Sequence, residues 1–103
     1  MIWTYLTCLL ISFNVFICEP PLDIDIVHAG ADVIIDWEEN PTLSKYRIIY
    51  KKQNWSLWRA HVVNQNYVWV TNPGAGHYLI AIQGFCEETE TWTELSEIQT
   101  LNF

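Results

Sequence analysis

Basic side chains are scarce in this chain of 103 residues. Five Lys and Arg stand against twelve Asp and Glu, a formal net charge of −7. Phosphate binding needs a basic footprint, so nucleic acid is excluded as a partner. Cysteine is scarcer still, with three in all. Cys8 and Cys18 fall in or at the edge of an uncharged N-terminal run, so only Cys86 is certain to remain after processing. One cysteine cannot close an internal disulfide. The expectation is a fold that stands on its hydrophobic core, with Cys86 a shielded thiol or the link of a disulfide-bonded dimer. Helical periodicity is missing, and no gap between strand signals holds a crossover helix, which excludes a parallel sheet. A Gly/Ser linker, an internal repeat and the tripeptide Arg-Gly-Asp are all absent. One uninterrupted domain is expected, without integrin binding through that tripeptide.

Catalytic patterns are missing too. His28, His61 and His77 fall on separate strands or turns, without metal-ligand spacing. Ser44, Ser56 and Ser96 lie in no nucleophile motif. The acidic run Glu87-Glu88-Thr89-Glu90 lacks the ordered loop of oxygens that holds calcium. The chain reads as a non-enzyme with no metal and no cofactor.

What is present is apolar and aromatic. Hydrophobic residues make up 50% of the chain, and six Trp and five Tyr give a small core unusually large rings. Residues 1–18 carry no charged side chain; the first charge is Glu19, followed by Pro20-Pro21. This reads as a secretory signal peptide over 1–18, ahead of a domain over 19–103 that is secreted and free of the membrane. The alternative is an uncleaved membrane anchor formed by the same 18 residues.

From Leu22 onward the pattern is alternation. Val33, Ile35 and Trp37 share one face of a run. Tyr46, Ile48 and Tyr50 share a face of the next, with Arg47, Ile49 and Lys51 opposite. Leu57 to Val63 is weaker, and Tyr67 to Thr71 alternates again. Tyr78, Ile80, Ile82 and Gly84 share a face, and Trp92 to Leu101 closes the chain. Pro, Gly and Asn punctuate the gaps. Seven short strands at such intervals predict an all-β, seven-stranded antiparallel sandwich of two sheets.

The ordered set Val33-Ile34-Ile35-Asp36-Trp37, Pro41, Tyr46-Arg47-Ile48-Ile49-Tyr50, Pro73-Gly74 and Tyr78 to Ile82 resembles the fibronectin type III family, an immunoglobulin-like sandwich. The resemblance covers essentially residues 20–103. It implies that Trp37 fills the space between the sheets with Ile48, Ile80 and Ile82. It also implies that Tyr78 turns its hydroxyl back to the preceding turn as a tyrosine corner. Trp92-Thr93-Glu94-Leu95-Ser96 is similar to the Trp-Ser-x-Trp-Ser box of cytokine receptors, with Leu95 replacing the second Trp. In that family the box is stacked with Arg side chains; here Arg47 is the one expected to reach Trp92. A soluble cytokine-receptor-like decoy is therefore one functional reading. A spacer, or a truncated product of a larger receptor, is another.

The leading expectation is a secreted module that binds an extracellular protein. All five basic residues fall between Lys45 and Arg59, a basic stripe suited to an acidic protein or a sulfated glycan. Trp and Tyr are favoured in binding hot spots. Ile49, Trp55, Trp58 and Phe85 are expected to form a contact patch on the sheet that carries Arg47 and Lys51, with Trp92 nearby. Asn54-Trp55-Ser56 is an N-glycosylation sequon, which makes Asn54 the expected glycan site.

Overall fold

Alternation sends successive side chains to opposite faces, and the strands form where it is unbroken. A computed structural model of the chain describes residues 18–103; of the leader expected over 1–18, residues 1–17 lie outside the described residues. The strands are β1 (Asp25–Ala29), β2 (Asp32–Asp36), β3 (Leu43–Lys52), β4 (Arg59–Val63), β5 (Tyr67–Val70), β6 (His77–Cys86), β7 (Thr91–Trp92) and β8 (Gln99–Asn102). One sheet has the order β1–β2–β5, and the other β4–β3–β6–β7 with β8 also on β6. Every pairing is antiparallel.

The first run is shorter than its alternation suggests. Asp23 sits at φ 55°, a left-handed conformation that a strand cannot contain. The strand begins only at Asp25, and Glu38 N–H donating to the Leu22 carbonyl at 3.0 Å ties the preceding segment to the end of β2. The last run differs more: one expected strand is two, β7 and β8, separated by residues 93–98.

The core lies between the sheets. Val33, Ile35 and Trp37 come from one side; Leu43, Tyr46, Ile48, Tyr78, Ile80, Ile82 and Leu101 come from the other. These are the faces that alternation assigns. Tyr50 is half-buried and packs against the cluster from its margin. Trp37 meets Tyr46 edge to face at 5.2 Å between ring centroids. The Tyr78 hydroxyl lies 2.6 Å from the Pro73 carbonyl and 2.9 Å from that of Gly74, as a tyrosine corner does. Gly84 is held to glycine by packing: a Cβ there would stand 2.3 Å from Leu43 Cδ1.

The cysteine reading is corrected. Cys86 is neither a thiol nor placed to link a dimer, because it is bonded to Cys18 with a Cα–Cα distance of 5.9 Å. The segment from Cys18 to Pro21 passes the end of β6, and Pro21 is itself buried. Cys18 is thereby tied to the end of β6.

Candidate functional site

The outward row of β3 is Lys45, Arg47, Ile49 and Lys51. Residues two apart on a strand stand roughly 6–7 Å from each other, so the row is a ribbon of three cations interrupted by one isoleucine. Ile49 faces Ala60 on β4 and Ala81 on β6, and Arg47 faces Val62 and Gln83.

Each of these cations rests on an aromatic ring. Lys45 Nζ is 4.6 Å from the centre of Phe85 and 5.8 Å from that of Trp92. The Arg47 guanidinium carbon is 4.2 Å from the centre of Trp92. Lys51 Nζ is 5.3 Å from Trp58. The two remaining basic residues do the same: Lys52 lies 6.0 Å from Trp55 and 5.5 Å from Tyr78, and Arg59 lies 4.1 Å from Trp55. A ring face attracts a cation at little desolvation cost, and each such contact contributes about 0.5–1 kcal/mol at an exposed site. The contacts also reduce side-chain freedom, so less entropy remains to be lost when a partner binds.

Arg47 is fixed further. Its Nε and Nη2 donate to Gln83 Oε1 at 3.1 and 2.7 Å, and Gln83 Nε2 donates to the Thr93 carbonyl at 2.8 Å. Trp92 packs edge-on against Phe85 at 5.3 Å. The result is a layered stack of Lys45, Phe85, Trp92 and Arg47 at one end of the face.

Residues 93–98 tie the stack to β6 and split the final strand. Thr93 and Ser96 are both buried. Thr93 N–H donates to the Gly84 carbonyl at 2.8 Å, and Gly84 N–H donates to Thr93 Oγ1 at 3.0 Å. Ser96 N–H donates to the Ile82 carbonyl at 2.9 Å, and Ile82 N–H donates to Ser96 Oγ at 2.8 Å. Two hydroxyls thus take the places of backbone carbonyls beside β6, and the backbone around them leaves the strand conformation. The segment Trp92 to Ser96 holds two buried hydroxyls against β6 and one outward ring, with Arg47 stacked on that ring. Ser96→Ala should lower stability by about 1–3 kcal/mol, because it leaves the buried Ile82 N–H without an acceptor. A urea melt measures this, and Ser96→Thr should recover part of the loss.

The patch expected from sequence is divided. Phe85 and Trp92 lie with Lys45 and Arg47 at the start of β3, and Trp58 lies with Lys51 near its end, roughly 20 Å away along the strand. Ile49 is half-buried between them. Trp55 leaves this face. It turns toward the space between the sheets, where it approaches Tyr50 at 6.4 Å and carries Arg59. Lys51 Nζ still reaches the Trp55 carbonyl at 3.3 Å. Asn54 is exposed in the turn just before it. Lys45 was expected in the basic stripe but not in the contact patch, and it seats on Phe85 there. Gln83 was not singled out as a contact residue, although it is outward in the same alternation that exposes Arg47.

Charge separates between the sheets. β1 and β2 carry Asp25, Asp32 and Asp36, with Asp25 directly opposite Asp36. No group of three or more His, Cys, Asp and Glu among the described residues is placed to hold a metal ion.

No protein-family model and no curated protein sequence matches the chain. Solved structures do match. A myokine structure superposes with a TM-score of 0.67 at 15% identity, over 82% of this chain and 95% of that one. A chain of a cytokine receptor complex superposes with a TM-score of 0.70 at 14% identity, over 82% of this chain and 50% of that one. The FN1–FN3 domains of chicken CNTN1 give 0.66 at 14% identity, over 80% of this chain and 29% of that one. The chain thus spans nearly all of the first and half or less of the other two. By its fold, this chain is a distant fibronectin type III-like domain.

Proposed function

We propose that the protein is a secreted single-domain module that binds another extracellular protein through the outer face of β3, β4, β6 and β7, without catalysis. The observation that carries this reading is the row of Lys45, Arg47 and Lys51, each seated on an aromatic ring, in a chain whose net charge is −7. Pre-placed cations and half-exposed Trp side chains are the residue types that dominate binding hot spots. The partner has an acidic surface, because charge complementarity steers encounter and selects orientation. A sulfated glycan satisfies the same cations.

The Cys18–Cys86 bond supports an oxidising compartment. Within this proposal the leader is removed on the N-terminal side of Cys18, and Asn54 carries a glycan beside the far end of the face. The second reading, a soluble cytokine-receptor-like decoy, draws on the Arg47–Trp92 stack and on the Thr93 and Ser96 hydroxyls that hold the box against β6.

The test is a binding screen with the full chain made in secreting cells, against extracellular ectodomains, helical cytokines and sulfated glycans. Wild type and Lys51→Glu/Trp58→Ala are compared; both changed residues lie outside the core, so the variant should fold. A saturable protein hit that the variant loses by on the order of tenfold or more supports the proposal, as expected for a desolvated cation and its ring. A helical cytokine as that hit selects the decoy reading. A glycan as the sole hit, or a hit that the variant binds equally well, overturns the protein-binding face.

A further inference from the structure

Strand β4 is inside out from Arg59 to Val62 and regains the ordinary pattern at Val63. Its residues opposite Tyr50, Ile48 and Tyr46 are Arg59, His61 and Val63. These positions face the interior, since Ile48 and Tyr46 are core residues. Two of the three interior positions are therefore polar and exposed, while Ala60 and Val62 point outward. A sandwich strand ordinarily does the reverse. Departures from pattern of this kind concentrate at functional sites.

Arg59 and His61 tolerate the inward position because the sandwich is open there. The smaller sheet ends at β5, the larger ends at β4, and these two edges flank a groove of about 440 Å³. That volume falls within the range of about 300–1,000 Å³ of small-molecule sites. Its floor and far wall are aliphatic: Ile35, Ile48, Val68, Val70, Ile80 and Leu101. Trp55 also lines it, and the Arg59 guanidinium lies against that ring at 4.1 Å. The cation is thereby held at the mouth, beside His61. No carboxylate lines the groove among the described residues, in a chain with twelve Asp and Glu.

We propose that this groove is a binding site for an anionic amphiphile, a carboxylate on an aliphatic chain of medium length. The tail lies on the aliphatic floor between β4 and β5, where burial of apolar surface supplies the affinity. The carboxylate meets Arg59 in the paired, planar geometry that guanidinium and carboxylate share. His61 is placed to donate to the same head group. The site is on the inner side of β4, away from the Lys45–Arg47–Lys51 row, so its failure leaves the protein-binding reading untouched.

The probe is decanoate, titrated calorimetrically into the secreted full chain, with decanol as the uncharged control. Saturable uptake of decanoate is expected, with affinity falling on the order of tenfold in Arg59→Gln and comparably for decanol on wild type. Val68→Glu, which puts a charge on the apolar floor beneath the tail, should abolish uptake; a thermal melt establishes that this variant is folded. Arg59 is exposed, so Arg59→Gln decides the matter even if Val68→Glu fails to fold. No saturable uptake by wild type overturns the proposal. So does equal affinity for decanol, or for decanoate in Arg59→Gln.

Discussion

Trp37→Ala should destabilise the domain by about 3–5 kcal/mol, the usual cost of emptying a large buried aromatic site. The ring is 2% exposed and lies just after β2, packed edge to face on Tyr46. Its backbone is also committed: Trp37 N–H donates to the Asn66 carbonyl at 3.1 Å, and Asn66 Nδ2 donates to the Trp37 carbonyl at 2.9 Å. The neighbouring chain cannot easily collapse into the space. Small domains have a total stability of about 5–15 kcal/mol, so the variant should melt far below wild type. Trp37→Phe should cost less. It keeps an edge-to-face partner for Tyr46 and removes an indole N–H that has no acceptor among the described residues. Thermal melts of the three proteins check the order. Equal losses for Ala and Phe would show that the size of the ring is not what matters.

Cys18→Ser/Cys86→Ser should be less stable by about 4 kcal/mol if the bond acts by limiting the unfolded chain. The crosslink spans a sequence separation of 68, which is most of the domain, and loop-closure entropy grows with that span. The double variant is preferred because it leaves no lone thiol to form a dimer. Peptide mapping of the secreted wild type without reductant should find the peptide containing Cys18 joined to that containing Cys86. A free Cys86 thiol, or a dimer joined through it, would contradict the pairing. So would a secreted chain that begins after Cys18.

The bond also marks where sequence reasoning fell short. Its two cysteines are far apart in the chain, and the uncharged run ending at Ile17-Cys18 absorbed one of them into a leader. Position along a hydrophobic run carries no information about what the next residue touches. The sandwich itself was readable because alternation and burial are the same signal: Val33, Ile35, Ile48, Ile80 and Ile82 alternate because one face is dry. The Tyr78 corner was implied by the fibronectin type III resemblance rather than by alternation, and its hydroxyl does meet the Pro73-Gly74 turn. Three features were not legible. Thr93 and Ser96 look like ordinary strand residues, yet their hydroxyls replace ladder acceptors and split the final strand. Trp55 and Trp58 are three residues apart in a turn, where no periodicity dictates direction, and they part to opposite sides of the sheet. The reversal of β4 was hidden because Arg59, Ala60, His61 and Val62 alternate in polarity either way; only the register with β3 says which set is inside.

The face proposed for binding joins the two levels. Its cations were visible as a cluster between Lys45 and Arg59, and the Arg47–Trp92 contact was expected; the seat of Lys45 on Phe85 was not, because Phe85 comes from a distant part of the chain and meets β3 only through β6. Long-range pairing supplied the rings.

The most direct measurement is residue-level mapping of the bound surface. Indole N–H and backbone amide signals of the labelled domain are followed by NMR while the protein found in the screen is added. The account predicts that Trp58 and Trp92, with Lys45, Arg47 and Lys51, shift or broaden, and that Trp37 and Trp69 stay in place. Perturbation centred on the acidic sheet, at Asp25, Asp32 and Trp69, with the Lys45–Lys51 row unmoved, would contradict it.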